Sequence, residues 1–244
     1  MGMVDWAVYE AAIDWLLAGL NPYRQTPIHP TLGFHNPAWA LLLALPFYLA
    51  RDWPGMPTAF RLVSIGALIA GGRRMRIPPA RLALILLSWP VLFTLAMGNL
   101  EPLLWLGVLL PGPLALIVLS AKPQSTVWVM GIIVQQAQRR GKLLITVGPL
   151  LALAALTLAL YGLPQQLSGA PDEAWWWPWG LAIGLALGFY ALKRGRMALA
   201  MTASILCSPY GSGSAPIPLM AGLPWLPFAA LWVAGWMTRQ GLAG

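Results

Sequence analysis

Asp5 is the side chain in this sequence best placed to do chemistry. A carboxylate at a membrane interface can take a proton from an acceptor hydroxyl as a general base, or help to hold a metal ion. Asp is also a favoured helix N-cap, and Asp5 stands one residue ahead of a helical pattern. The two roles are compatible, since a capping carboxylate can still present an oxygen to a ligand. Glu10 and Asp14, four apart, are neighbours on one helical face, where like charges call for solvent or a cation partner. Lys122 lies between two apolar half-helices, and Pro123 breaks the helix there and frees backbone groups. An ammonium at such a break can bind the phosphate of a lipid-linked substrate; the competing reading is a lysine snorkelling to the headgroups. Arg24, directly after Tyr23, can serve the same phosphate.

Other candidates point elsewhere. His29 and His35 are six apart with Pro30 and Gly33 between them, which fits no common zinc pattern. The Trp175-Trp176-Trp177-Pro178-Trp179 run reads as an aromatic belt or as a sugar-stacking platform. One cysteine, Cys207, excludes an internal disulfide and cysteine-rich metal sites. The sequence holds no Walker loop, no dinucleotide-binding glycine fingerprint and no Ser-His-Asp signature. Paired intramembrane carboxylates and a clear inverted repeat, which would mark a transporter, are not evident.

The elements that must position these groups are apolar helices. The chain has 244 residues, 59% hydrophobic and 9% charged, with mean hydropathy +0.69. Apolar runs punctuated by Gly, Pro and Arg predict an all-α, polytopic membrane protein, because each span must satisfy its own backbone hydrogen bonds. Runs such as LLALAALTLALYGL do not alternate, which excludes a β-barrel. The net charge of +8 sits between spans, so topology accounts for it and nucleic acid is not an expected partner.

About eight or nine transmembrane or half-spanning helices are expected. Residues 1–35 form an outward-facing loop with an interfacial amphipathic helix, and residues 36–244 form one transmembrane domain. In the first helix Tyr9, Ala12, Ile13, Leu16, Leu17 and Leu20 share one face, with Trp6, Glu10 and Asp14 on another. Gly19 followed by Asn21-Pro22 is its predicted stop. The run 37–50 is short of the roughly 20 residues a full crossing needs, and the outward placement of the first loop requires that it not cross; a full crossing would put the first loop on the cytoplasmic side or the Arg73 cluster outside. Later helices are expected at 58–72, 82–98, 100–110, 113–121, 125–137, 143–162, 176–192, 197–208 and 216–237. The basic clusters at 73–76, 139–142 and 193–196, with Arg239, orient the chain. If they and the C-terminus are cytoplasmic, then Gly98-Asn99, Lys122-Pro123-Gln124, Asp172-Glu173 and Ser208-Pro209-Tyr210 face outward. No cleavable signal peptide is expected, and the expected location is a bacterial cytoplasmic membrane.

The stretch DWAVYEAAIDWLLAGLNPY resembles the first outer loop of the GT-C membrane glycosyltransferases, in particular the polyprenyl-phosphate-mannose-dependent family 87. The resemblance continues in Asn36-Pro37 ahead of an apolar run with Pro46, in Gly98-Asn99, in Lys122-Pro123-Gln124 and in Ser208-Pro209-Tyr210, in the family's order over nearly the whole chain. It departs where Asn99 replaces Gln, where a helix before Asp5 is lacking, and in its shorter length. The resemblance implies a lipid-linked sugar donor and inverting transfer of a hexose, most simply mannose, on the outer membrane face. Asp5 would then be the catalytic base, and Tyr9 and Tyr23 would shape the sugar pocket. Lys122, Arg24, Asn99 and Gln124 would complete donor binding, with Lys122 and Arg24 at the lipid phosphate. A divalent cation is the one cofactor left open. Partners are membrane lipids, the polyprenyl-phosphate sugar and a membrane protein supplying missing helices. The competing reading is a non-catalytic subunit of a larger membrane complex.

Overall fold

In a computed structural model, the described residues are 3–24, 34, 36–163, 179–208 and 216–222. They are helical throughout, with no strand among them. The helices are α1 (Val4–Leu17), α2 (Leu41–Leu49), α3 (Met56–Arg74), α4 (Pro79–Leu86) and α5 (Trp89–Met97). A 3₁₀ helix (Glu101–Leu109) follows, then α6 (Gly112–Leu119), α7 (Val127–Arg139), α8 (Leu143–Tyr161), α9 (Trp179–Arg194), α10 (Met197–Leu206) and α11 (Pro216–Gly222).

α1 stops where the sequence predicts, with Gly19 at φ +74° and Leu20 N–H closing onto Trp15 O. Its faces differ from the expected ones. Trp6 is buried with Tyr9, Ala12 and Ile13, whereas Leu17 and Leu20 are exposed. Apolar side chains on both sides of this helix leave its period undecided, and packing decides instead. Trp6 meets Phe47 and Phe60 ring to ring, at centroid distances of 6.3 and 5.8 Å, so it anchors a core and not a membrane interface.

The helix expected over 82–98 is two helices, α4 and α5, bent by 51°. Pro90 is the cause: it has no N–H, and its ring would strike the carbonyl of Leu86 in a continuous helix. Ser88 adopts extended backbone and donates its hydroxyl to Ile85 O at 2.6 Å, which covers one of the carbonyls released by the break.

The 3₁₀ helix is the innermost element. Seven of its nine residues, Glu101 to Trp105 with Gly107 and Val108, are buried. Small residues allow the close approach: a Cβ on Gly71 of α3 would lie 2.6 Å from Trp105 O, and one on Gly107 would lie 2.6 Å from Leu119 of α6. Two apolar clusters flank it. An aromatic one joins Trp6, Tyr9, Tyr48 and Phe60 to Leu100 and Leu103, and an aliphatic one joins Leu68, Ile85 and Val108 to Leu116, Ile132 and Ile217.

Contacts along the helices give the bundle two unlike ends. Trp128 N–H at the start of α7 donates to Ser204 Oγ near the end of α10, so Arg139 and the α9–α10 turn lie at the other end. Gly112 lies against Thr146 in the first turn of α8, just after Lys142, and Gly71 lies against Trp105, midway along the 3₁₀ helix, while Phe60 and Ala67 from earlier in α3 share a cluster with Leu100 and Leu103 at its start. The clusters at 73–76, 139–142 and 193–196 therefore gather at one end. Asp5, Asn99, Lys122 and Ser208 gather at the other.

α8 runs between these ends. Its 19 residues measure about 28 Å at 1.5 Å per residue, close to a hydrocarbon core of about 30 Å. Leu144, Ile145, Leu151 and Leu160 are each at least 60% exposed. Among the described residues α8 alone is long and apolar enough to cross a membrane by itself; the bent α4–α5 pair, taken as one broken span, is a second. The expected eight or nine crossing or half-crossing elements thus become one or two of full length plus shorter helices. α3 is long enough, but it carries Arg61, Arg73 and Arg74.

Candidate functional site

Asp5 lies inside the first turn of α1, and Met3 occupies the cap position with no side-chain cap hydrogen bond. This corrects the capping reading of Asp5. Its carboxylate is engaged elsewhere: Asn99 Nδ2 donates to Asp5 Oδ2 at 2.7 Å. Gly98 makes the pairing possible. It closes α5 at φ +74°, a conformation that L side chains rarely adopt, and a Cβ there would stand 2.8 Å from Trp6 Cβ. Only glycine lets the end of α5 come so close to the start of α1, and the next residue then meets Asp5.

Asn99 is occupied at both ends of its amide. Its Oδ1 accepts the Glu101 N–H at 2.9 Å, satisfying a donor that the start of the 3₁₀ helix leaves unpaired. Glu101 is 1% exposed, and its Oε2 lies 2.5 Å from Lys122 Nζ. Burial of a lone carboxylate would cost several kcal/mol, so the ammonium is needed where it is. Lys122 sits at the break the sequence predicts, between α6 and α7. The hydroxyl of Thr126 covers the exposed carbonyls there, 2.6 Å from Leu119 O and 3.2 Å from Lys122 O. A continuous line of contacts thus runs Asp5, Asn99, Glu101, Lys122.

Tyr9 is buried beside this line. Burial raises its phenol well above the ordinary range, and the Asp5 charge adds to the effect; the Leu100 backbone and the Asn36 side chain oppose it. Tyr9, Asn36, Ala40, Leu100, Leu104, Ala121 and Lys122 line a pocket of about 200 Å³ including its open mouth.

Of the residues expected at a donor site, Tyr9 and Lys122 line the pocket, Asp5 and Asn99 adjoin it through their hydrogen bond without lining it, and Tyr23, Arg24 and Gln124 do not line it. Tyr23 is buried, stacked on Phe34 at 5.7 Å with its hydroxyl donating to Asn36 O at 3.2 Å, and burial pushes its phenol up to about 12. Arg24 and Gln124 are exposed. Asp14 accepts the Tyr48 hydroxyl, while Arg51 lies 4.0 Å from Glu10 and over the Tyr48 ring, so this acidic pair has both a hydroxyl and a cation partner. Among the described residues no group of three His, Cys, Asp or Glu side chains could hold a metal ion. His29, His35, Asp172, Glu173, Trp175 to Pro178, Pro209, Tyr210 and Arg239 lie outside the described residues, and Trp179 is exposed at the start of α9.

Glu101 is the site residue that sequence reasoning missed. A signal existed: it is the only acidic residue between Asp52 and Asp172, and it opens an apolar run in which a lone charge requires a partner.

No protein-family model, curated protein or solved structure matches the chain.

Proposed function

We propose that this chain is a polytopic membrane protein of GT-C type that transfers a hexose, most simply mannose, from a polyprenyl phosphate to an acceptor hydroxyl. Asp5 acts as the general base in an inverting displacement. The Lys122 ammonium stabilises the charge developing on the departing lipid phosphate. The observation that carries this reading is the line of contacts from Asp5 through Asn99 and Glu101 to Lys122. Residues 94 and 21 apart in sequence converge at the end opposite the basic clusters. With those clusters on the cytoplasmic face of a bacterial inner membrane, the pocket opens outward, where lipid-linked sugars replace nucleotide sugars as donors.

One observation favours a second reading, a non-catalytic subunit of a larger membrane assembly. Inside its mouth the pocket has room for only about one water molecule, far less than a hexose requires. An Asp5→Asn variant separates the two, since the amide keeps an oxygen for Asn99 and removes the base. In proteoliposomes supplied with a polyprenyl-phosphate hexose, the catalytic reading expects transfer to fall by about 10² to 10⁴-fold. Transfer unchanged in Asp5→Asn, or no transfer by the wild-type protein, leaves the subunit reading.

A further inference from the structure

Lys122 lines the pocket, whereas Glu101 does not. The carboxylate stands behind the ammonium at 2.5 Å, so the pair presents its positive end to the pocket. The same residue's backbone N–H holds Asn99 Oδ1, and Asn99 Nδ2 holds Asp5. Glu101 is therefore attached to both candidate chemical groups, to one by its side chain and to the other by its main chain.

We infer that Glu101 is a positioning residue for the transfer proposed above, one that locks the Lys122 ammonium and the Asp5 carboxylate into a single rigid unit. Its site in the first turn of the buried 3₁₀ helix suits the role. α3 packs against that helix at Gly71 and α6 packs against it at Gly107, so Glu101 cannot shift without moving the centre of the bundle. The inference rests on the glycosyl-transfer reading only for its kinetic consequence. The mechanical claim, that Glu101 immobilises Lys122, stands apart from it.

The test measures transfer per folded molecule in Glu101→Gln, Glu101→Asp, Asn99→Ala and the Glu101→Gln/Asn99→Ala double variant. A misplacement of about 1 Å lowers turnover about 10²-fold, so Glu101→Gln is expected to lower kcat on that order with KM for the donor little changed. Glu101→Asp recovers most of the loss. In the double variant the two losses multiply, because Glu101→Gln releases only Lys122 while the residue's backbone N–H still holds Asn99. Wild-type turnover in Glu101→Gln, or turnover in Glu101→Asp no higher than in Glu101→Gln, overturns the inference, and a purely structural role would change the yield of folded protein without this pattern. If the wild-type protein transfers no sugar, the transfer reading falls and labelling with acetic anhydride still decides the mechanical claim. Loss of a charged hydrogen bond predicts about tenfold faster modification of Lys122 in Glu101→Gln, with the exposed Lys142 and Lys193 unchanged. Equal labelling of Lys122 in the two proteins overturns it.

Discussion

The 3₁₀ helix and α8 are both strongly apolar in sequence and have opposite surroundings. The first buries seven of its nine residues; the second buries only Thr146 of its 19. Hydropathy does not separate them, because a lipid-facing helix and a core helix are equally free of charge. Their minor residues do. The enclosed segment contains Glu101 and Gly107 and meets Gly71 of α3. α8 has no ionisable group except the terminal Tyr161 and presents leucines around its circumference. In an apolar run, a residue that demands a partner marks the interior; a small residue alone does not, since Gly148 of α8 faces open space whereas Gly107 is packed against Leu119.

The sharpest way to break this contrast is to remove the partner from the interior. Glu101→Ala removes the carboxylate partner of the buried ion pair and is expected to destabilise the detergent-solubilised protein by about 3 to 5 kcal/mol, read from its unfolding midpoint. Replacing both residues by methionine restores most of the loss. Glu101→Ala without a shift in the midpoint would mean that the enclosed segment is not held by its ion pair.

A smaller effect is expected on the exterior. Leu151→Ala in α8 removes an exposed side chain and should change stability by no more than about 0.5 kcal/mol, because no core cavity is created. A loss of several kcal/mol at Leu151 would show that α8 is covered by protein in the working assembly.

A further effect appears only at alkaline pH. Tyr23, held neutral up to about 12 against an ordinary value of 10.0, contributes stability that is complete below pH 10. That contribution is lost as pH rises through 12, since the folded state retains a proton that the unfolded state releases. Tyr23→Phe should flatten the fall in stability between these values while leaving α8 unaffected. An unfolding curve as steep as that of the wild-type protein would exclude Tyr23 as its source.

Local features of this architecture are readable from sequence, and distant pairings are not. The end of α1 at Gly19 and Asn21-Pro22, the break at Lys122-Pro123 and the span of α8 all follow from residues within one turn of the event. The bend at Ser88 follows from Pro90 and was readable by the same rule, though the apolar pattern over 82–98 hides it. Which face of α1 turns inward was not readable, because Trp6 and Leu17 are both apolar and only Phe47 and Phe60, brought in by other helices, decide between them. Nor was the Asp5–Asn99 pair, since it depends on how closely α5 approaches α1, a distance set by Gly98 against Trp6.

The winding of the central segment has one more consequence. Three residues per turn bring side chains at every third position into a single column, whereas an α-helix would rotate each by about 60° from the last. Glu101, Leu104 and Gly107 form such a column facing the α6 side: the first reaches Lys122, the second lines the pocket, and the third lies against Leu119. Rewinding the segment to an α-helix would fan these three apart, so its tighter pitch is what lets one edge serve as charge anchor, pocket wall and packing seam together.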